Sequence, residues 1–424
     1  MIVLMPNCAF LSETSRALAL ASALRAAGEK VAIASHGGPY ARLLDEAGEP
    51  WTALEPQLTP DDARAFVQAV VELGKSERPL HPPEWARVAV AAEVAYLREV
   101  GARLVVIGFS LTAYVSTAVV AIPLATVHGG SFVPAAMEAR LCPAPVNPPQ
   151  PGAERMPTWL GRWLANVVPP RVKFGVGWLN ALAAEHGVEP VPSLAALMCG
   201  DLTLVTDLPE VLGISPAALE AWRPGWFGGY RRSTRLVYGG PIFARLELPV
   251  PERVEAFLSA PGPVVYLSPT SVTEAQLRDL IAATRAAGAR VLVTATIHDV
   301  GALESPEVMV ERVLPNHLVL PRVAVVVSMG GQGSVSAAMA AGTPIVGFPF
   351  HGEQELNLAL AERRGMAVRL PLTELGGARL THEVRRMLDD PAVRAAAAAT
   401  RALYEGVDGP ARTAEAIRRF LAAR

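Results

Sequence analysis

Short apolar segments alternate with helical segments along the first half of the chain, and this alternation limits the possible folds more than any other feature. The apolar segments are "MIVLMP", "VAIAS", "ARLVVIG", "PLATVHGG" and "DLTLVTD". Consecutive apolar residues are typical of strands that are covered on both faces. Segments such as "ETSRALALASALRAAGEK" lie between them and are typical of helices. The pattern therefore predicts an α/β fold in which crossover helices join parallel strands.

The same alternation begins again at "GPVVYLSPTS" and continues through "RVLVTAT", "LPRVAVVVSMGG" and "TPIVGFPF". The segment between the two halves, "LVYGGPIFARLELPVPERVEAFL", is rich in Gly and Pro, which marks a domain boundary. A chain of 424 residues is long enough for two such domains. We predict an N-terminal domain at 1–240 and a C-terminal domain at 241–404. Residues 405–424 are expected to form a terminal helix that packs on the N-terminal domain.

Composition excludes several classes of function. The formal net charge is −2, so no basic surface is expected for nucleic acid. The three cysteines are far apart in sequence and lack metal-ligand spacing, which favours a reducing compartment such as the cytoplasm. No window reaches about 18 uninterrupted apolar residues, so a transmembrane helix is not expected. The sequence gives no basis for an oligomeric state.

A glycine-rich turn joins a predicted strand to a predicted helix in "VVVSMGGQGSVSAAMAAG". Main-chain N–H groups at a helix N-terminus favour a phosphate group, and glycines allow a close approach. Gly330, Gly331 and Gly333 would supply the space, and Ser334 would add a hydroxyl donor. The alternative is that these glycines serve only the packing of the strand-to-helix turn.

Two polar residues, Glu353 and Gln354, follow the next predicted strand in "FPFHGEQELN". Ligands of open α/β sheets bind beyond the carboxyl ends of the strands, so this pair is expected on the same edge as the glycine turn. A carboxylate beside an amide can hydrogen-bond sugar hydroxyls as acceptor and as donor. The alternative for Glu353 is an acid that interacts with the helix dipole.

Taken together, these motifs resemble the donor site of family 1 glycosyltransferases of the GT-B fold, which include macrolide and antibiotic glycosyltransferases. The matching stretches are "MGGQGS", "GTP" and "PFHGEQELN", with "VYLSPTS" and "VLPNHLVLP" upstream and a looser match at "LALASALRAAGEKVAIAS". The resemblance implies two Rossmann-like domains that face a central cleft, with the acceptor on the first and the donor on the second. It also implies a bacterial, cytoplasmic, inverting glycosyltransferase of natural-product biosynthesis.

Matching positions imply which residues bind the donor. Residues 330–334 would hold the diphosphate, the loop at 268–271 would line the opposite side, and 313–316 would border the base. Glu353 and Gln354 would bind sugar hydroxyls, His351 would contact donor or acceptor, and Asn357 would be structural. The implied donor-binding residues are Ser268, Thr270, Ser271, Val313, Asn316, Met329, Gly330, Gly331, Gln332, Gly333, Ser334, His351, Glu353 and Gln354.

The sequence departs from the family pattern at three places. Met329 replaces a phosphate-contacting histidine, and Ala337 stands where many members place a ribose-binding Glu. Glu13 occupies the position of the family's catalytic histidine, and no Asp follows "ARLVVI" to orient a histidine. Glu13 and His128 are therefore the two candidate catalytic bases. Their alternatives are a helix-start acid and a structural histidine in a Gly-rich loop, respectively.

The resemblance leaves the substrates open. The donor would be a dTDP- or UDP-linked sugar, with no cofactor and no metal ion. The acceptor would be a hydroxyl of a natural product, lipid or saccharide. The proline-rich segment 141–173 contains Trp159 and Trp163 and could be an irregular packed insertion, an apolar acceptor lobe or a peripheral membrane contact. A non-catalytic relative that binds a nucleotide sugar is the alternative function. We also expect Met329 to weaken diphosphate binding and Met329→His to strengthen it.

Overall fold

The structure is a computed structural model that describes residues 1–71, 78–148, 152–225, 229–246, 248–269, 272–295 and 301–424. The chain divides into two compact units. The first unit consists of Met1–Arg140, Asn166–Ala244 and Val407–Arg424, and the second of Leu141–Ala165 and Arg245–Gly406. The α/β class with two parallel sheets, predicted from the alternating segments, is confirmed.

A seven-stranded parallel sheet forms the centre of the first unit, with the strand order β3-β2-β1-β4-β5-β6-β7. Its strands are β1 (Ile2–Met5), β2 (Val31–Ser35), β3 (Trp51–Ala53), β4 (Leu104–Ile107), β5 (Leu124–His128), β6 (Leu202–Val205) and β7 (Arg235–Tyr238). β1, β4 and β6 are buried at every position. This burial explains why their sequences are apolar without alternation.

Helices cover the sheet of the first unit. They are α1 (Leu11–Ala26), α2 (Arg42–Glu46), α3 (Pro60–Val71), α4 (Pro83–Glu99), α5 (Ala113–Val120), α6 (Pro134–Glu138), α8 (Gly177–Glu185), α9 (Pro209–Leu212) and α10 (Pro216–Ala221). The intervening helix α7 (Thr158–Val167) has its residues 158–165 in the second unit. The terminal helix α18 (Gly409–Ala422) also belongs to the first unit. Its residues Ala414 and Ile417 share one core cluster with Leu20 and Leu24 of α1.

The second unit contains a six-stranded parallel sheet with the order β10-β9-β8-β11-β12-β13. Its strands are β8 (Val264–Ser268), β9 (Arg290–Thr294), β10 (Val308–Glu311), β11 (Val325–Ser328), β12 (Ile345–Gly347) and β13 (Ala367–Arg369). Its helices are α11 (Glu252–Ser259), α12 (Glu274–Ala286), α13 (Asn316–Val319), α14 (Gln332–Ala341), α15 (Gly352–Arg363), α16 (Ala378–Asp389) and α17 (Pro391–Ala402).

Both sheets reverse their strand order beside the first strand. In the first unit β1 lies between β2 and β4, and in the second unit β8 lies between β9 and β11. Connections on the two sides of such a point leave in opposite directions, which opens a crevice at the carboxyl ends of the strands. Ser268 at the end of β8 pairs with Ser328 at the end of β11, so the predicted donor motifs meet at this crevice.

Residues 141–165 belong to the second unit, whereas the sequence analysis placed them in a domain at 1–240. The carboxylate of Glu355 accepts hydrogen bonds from the backbone N–H groups of Val146 and Asn147. The Asn147 side chain in turn accepts from Leu372 N and donates to Pro349 O, both at 2.8 Å. A proline-rich segment forms no regular backbone hydrogen bonds of its own, so side chains of the second unit provide acceptors for its N–H groups.

Candidate functional site

The glycine turn after β11 is tight, and its first glycine is needed for packing. Gly330 has φ +88°, and its N–H donates to Ser328 Oγ at 3.2 Å. A methyl group on Gly330 would lie 2.6 Å from Leu358 Cδ1 and 3.1 Å from Gln354 O. Because L-residues rarely adopt this φ, only glycine fits without strain. The packing explanation therefore holds for Gly330.

Gly331 and Gly333 differ from Gly330, because a methyl group on either would meet no atom within 4 Å. Gly331 is the N-terminal cap of α14, and Val335 is the first residue of the helix whose N–H finds an acceptor four residues back. Helix geometry leaves the N–H groups of Gln332, Gly333 and Ser334 without such an acceptor. The turn thus combines open space with donors at the positive end of a helix dipole, which suits an anion.

Glu353 already occupies part of this anion site. Its Oε1 accepts from Gln332 N at 3.0 Å and from Asn357 Nδ2 at 2.5 Å, and Asn357 Nδ2 also donates to Gly330 O at 3.1 Å. Glu353 Oε2 lies 3.8 Å from His351 Nδ1. Glu353 therefore interacts with helix dipoles, as the alternative explanation predicts, and it does so with the neighbouring helix α14 as well as with its own helix. The bridging contacts of Asn357 confirm its predicted structural role.

Gln354 is held by the turn that precedes α15. Its Oε1 accepts from Phe350 N at 2.7 Å, and the residue is 9% exposed. This bond fixes the orientation of the amide and uses none of its hydrogens, so the amide donates to a hydroxyl in any sugar contact. His351 is half-buried and precedes the helix.

Met329 lies in the hydrophobic core of the second unit. It is 2% exposed and clusters with Val327, Phe348 and Met387. Its side chain therefore offers almost no surface to a diphosphate, in contrast to the predicted donor-binding role. The reason is local, since the turn directs position 329 into the core and positions 331–334 outward. A histidine at this position would enter the core, so tighter diphosphate binding by Met329→His is no longer expected.

Residues predicted to border the base and the phosphates lie at the carboxyl edge of the second sheet, as the glycine turn does. Asn316 opens α13, and its Oδ1 accepts from Tyr266 OH of β8 at 2.9 Å. Val313, Asn316, Ser268 and Ser334 are half-buried. The bond to Tyr266 gives Asn316 a structural function in addition to any contact with a ligand. Thr270 and Ser271 lie outside the described residues.

In the first unit, Glu13 lies in the first turn of α1 at the carboxyl edge of the sheet. It is 6% exposed, and its Oε2 accepts from Phe109 N at 2.9 Å. The carboxyl packs directly on Gly108, where any side chain would collide with it. Arg16 Nη1 lies 4.0 Å from Glu13 Oε1 and donates to Val127 O at 3.0 Å. Burial raises the pKa of Glu13, while Arg16 and the N–H of Phe109 oppose that rise.

His128 ends β5 and is 2% exposed. Burial and the nearby charge of Arg16 lower its pKa to about 3, against a smaller opposing contribution from the backbone of Gly108. Within the described residues, its buried Nε2 has no hydrogen-bond partner. A neutral imidazole of such low basicity is a poor proton acceptor, so of the two candidate bases Glu13 is better suited.

A buried histidine–carboxylate pair in the first unit was not predicted from the sequence. His36 follows β2, and its Nε2 lies 3.1 Å from Glu93 Oε1 while its Nδ1 lies 3.1 Å from Pro56 O. Thr112 Oγ1 donates to the same carboxylate. Both ring nitrogens of His36 are thus engaged, which suits a structural clamp better than a base. The only sequence signal for this pair was a histidine directly after a predicted strand, because its partner Glu93 comes 57 residues later.

The described residues include no group of three or more His, Cys, Asp or Glu side chains placed to hold a metal ion. Among the helices that the structure describes, none has the length and apolarity that crossing a bilayer demands. The cysteines Cys8, Cys142 and Cys199 are all free thiols and buried.

Comparison with known proteins relates the second unit to enzymes of antibiotic biosynthesis. Residues 279–418 match a family described as erythromycin biosynthesis protein CIII-like, C-terminal domain. The chain is 35% identical over 154 residues to 4'-demethylrebeccamycin synthase of Lentzea aerocolonigenes, covering 36% of this chain and 37% of that protein. It is 38% identical over 88 residues to 3-alpha-mycarosylerythronolide B desosaminyl transferase of Saccharopolyspora erythraea, covering 21% of each. The chain thus matches about a third and a fifth of the lengths of these relatives.

Solved structures match the whole chain. The glycosyltransferase VinC in complex with DTDP has a TM-score of 0.66 at 19% identity and covers 100% of both chains. The spinosyn forosaminyltransferase SpnP has a TM-score of 0.66 at 17% identity and covers 99% of both chains. Identities this low establish the fold alone. The chain therefore has the GT-B fold seen in antibiotic glycosyltransferases, and its residues 279–418 match the erythromycin biosynthesis protein CIII-like C-terminal domain.

Proposed function

We propose that the protein is an inverting glycosyltransferase that moves a sugar from a nucleotide-linked donor to a hydroxyl of a small-molecule acceptor. The observation that carries this proposal is the N-terminus of α14, where Gly331 and Gly333 face open space beside the reversal of strand order. The GT-B fold and the partial sequence matches support the same activity.

On this proposal the diphosphate binds at α14. The N–H groups of Gly333 and Ser334 donate to its oxygens, and the helix dipole stabilises the charge that grows as the diphosphate leaves. Gln354 and Glu353 bind hydroxyls of the sugar. The residues present make this site from main-chain donors, so the proposed donor binding requires no metal ion or cofactor.

Glu13 is the proposed general base. A group that accepts the acceptor's proton works best when its pKa is near the working pH, and burial moves the pKa of Glu13 upward in that direction. The base form is the carboxylate, so activity should fall as pH falls through this raised pKa. The acid limb of kcat/KM should therefore lie at higher pH than the ordinary carboxyl range.

For the donor, we propose a dTDP- or UDP-linked sugar. Ala337 is half-buried and cannot accept a hydrogen bond from a ribose 2′-hydroxyl through its side chain. A thymidine nucleotide lacks that hydroxyl, so it loses no hydrogen bond when alanine occupies position 337. The complex of VinC with DTDP shows only that a protein of this fold holds such a nucleotide.

We further propose a bacterial, cytoplasmic protein, since the two relatives described above come from bacteria and all three cysteines are free thiols. Helix α7 presents Trp159, 71% exposed, Trp163, 49% exposed, and exposed Arg162, and exposed Arg155 lies just before the helix. Tryptophan and arginine together suit peripheral contact with an anionic membrane surface. Flotation with anionic vesicles, repeated with Trp159→Ala/Trp163→Ala, tests this contact.

The central experiment measures donor binding and sugar transfer with a panel of dTDP- and UDP-sugars. Glu13→Gln should leave nucleotide-sugar binding by calorimetry unchanged and lower kcat by roughly 10²–10⁴-fold. Glu99→Gln, which changes an exposed acid of α4 in the same unit, serves as the control. Binding without transfer to any acceptor would favour the non-catalytic alternative, and absence of nucleotide binding would refute both.

A further inference from the structure

Three half-buried phenylalanines lie together at the carboxyl edge of the first sheet. Phe10 precedes α1, Phe109 follows β4, and Phe132 follows β5. The ring centroids of Phe10 and Phe109 are 5.6 Å apart, and those of Phe109 and Phe132 are 6.3 Å apart. We call these three rings the aromatic wall. Half-buried aromatic rings at the edge where ligands of this sheet type bind are a surface for another flat apolar ring.

The aromatic wall adjoins the proposed base. Phe109 donates its backbone N–H to Glu13 Oε2 at 2.9 Å, and Phe10 is three residues before Glu13 on the first turn of α1. The ring of His128 fits into the same group, with its centroid 5.4 Å from those of Phe109 and Phe132. A molecule that lies against these rings would therefore bring its substituents close to the Glu13 carboxylate.

The base also restricts which hydroxyl can react. A phenolic hydroxyl has a pKa of about 10, whereas an aliphatic hydroxyl resembles water, with a pKa of roughly 16. A carboxylate takes a proton from the phenol far more readily, because the difference in acidity between donor and acceptor is about six units smaller. Burial lowers the pKa of His128 to about 3, so neutral His128 is too weak a base to take the place of Glu13.

From the aromatic wall and the carboxylate beside it, we propose that the acceptor is a flat aromatic compound that offers a phenolic hydroxyl. This proposal rests on the proposed glycosyltransferase function and names the substrate class of its acceptor side. In the reaction, the phenolic oxygen forms a bond to the anomeric carbon while the bond from that carbon to the diphosphate oxygen breaks. The electron pair leaves with the nucleoside diphosphate, and the phenolic proton passes to Glu13.

Three acceptors of one skeleton separate flatness from acidity. They are 2-naphthol, which is flat and acidic, 2-naphthalenemethanol, which is flat with an aliphatic hydroxyl, and decahydro-2-naphthol, which is neither. With one saturating dTDP- or UDP-sugar, kcat/KM should be highest for 2-naphthol. 2-Naphthalenemethanol should bind with a similar KM but have a kcat at least tenfold lower, because its hydroxyl is less acidic than the phenol by about six pKa units and even one unit corresponds to about tenfold in the proton-transfer equilibrium. Decahydro-2-naphthol should fail in both KM and kcat.

Phe109→Leu tests the aromatic wall, because it keeps the backbone N–H that Glu13 accepts and removes only the ring. KM for 2-naphthol should rise roughly threefold to tenfold, with nucleotide-sugar binding unchanged. Phe420→Leu, a half-buried phenylalanine of α18, is the matched control and should change neither. Phe132→Leu repeats the test if the first variant unfolds, as judged by its Tm.

Each outcome bears on one proposal. Equal kcat/KM for 2-naphthol and decahydro-2-naphthol, or an unchanged KM in folded Phe109→Leu and Phe132→Leu, would overturn the phenolic assignment and leave the glycosyltransferase intact. Donor binding with no transfer to any of the three compounds would also overturn it. Failure to bind any nucleotide sugar would instead refute the proposed function itself.

Discussion

Replacing Glu353 by glutamine separates its observed contact with helix α14 from its proposed contact with the sugar. Glutamine keeps an acceptor oxygen for Gln332 N but removes the negative charge at the helix N-terminus. An acid in this position contributes about 0.3–1 kcal/mol, rising to ~2 kcal/mol where partly buried. Glu353 is only 12% exposed and accepts two hydrogen bonds, so we expect a loss of about 1–2 kcal/mol in the free energy of unfolding.

The same substitution should change nucleotide affinity in the opposite direction. A diphosphate bound by Gly333 N and Ser334 N would lie next to Gln332 N, from which Glu353 accepts a hydrogen bond. Two unit charges about 8 Å apart repel by about 2 kcal/mol at an effective dielectric of 20. Solvent ions reduce this value. Removing the charge should therefore tighten binding of dTDP or UDP by about threefold to tenfold, while the matching nucleotide sugar gains less because it loses a hydroxyl acceptor.

Thermal unfolding and calorimetry test both effects on one preparation. Tm should fall by roughly 2–4 °C for a loss of 1 kcal/mol, and the ratio of nucleotide to nucleotide-sugar affinity should rise. Glu274→Gln, an acid at the start of α12 in the same unit, is the control and should change neither affinity. Weaker binding of the free diphosphate by Glu353→Gln would refute the view that Glu353 competes with it.

Three further perturbations test separate parts of the structure. Gly330→Ala should destabilise the protein by about 1–3 kcal/mol because of its positive φ and its contact with Leu358, whereas Gly331→Ala should leave Tm within about 1 °C of wild type and weaken diphosphate binding, as thermal shift with and without dTDP would show. His81 has a pKa lowered to about 3, chiefly by burial, so its neutral form stabilises the fold above pH 6.5, and this stability is lost as pH falls toward 3. His81→Phe should therefore be more stable than wild type at pH 5 by about 2 kcal/mol relative to their difference at pH 7, measured by urea unfolding; equal differences at the two pH values would contradict the burial argument.

The sheets were predictable because most of their strands are short and apolar, and several of them lie beside a glycine, which is a local signal. The carboxyl-edge position of Gly331 and Glu353 was predictable for the same reason, since parallel topology places strand ends together. The direction of Met329 was not, because the first residue after a strand can turn to either side. The pairing of His36 with Glu93 depends on a long-range contact that no local pattern encodes.

The allocation of residues 141–165 also escaped the sequence analysis. Composition showed a proline-rich segment but not which unit would satisfy its backbone. That choice depends on Glu355 and Asn147, whose partners Val146 and Leu372 are 209 and 225 residues away in sequence. Local propensity does not predict contacts between residues that are so far apart in sequence.

The position of α18 affects how the protein is made on the ribosome. The second unit has most of its residues in one continuous stretch, Arg245–Gly406, and can fold when that stretch has emerged. The first unit begins at Met1 but obtains Ala414 and Ile417, which pack with Leu20 and Leu24, only from α18, which is synthesised after the second unit. The N-terminal core of the first unit therefore stays partly uncovered until the whole second unit has been synthesised, and chaperone binding should be concentrated on the first unit during that time.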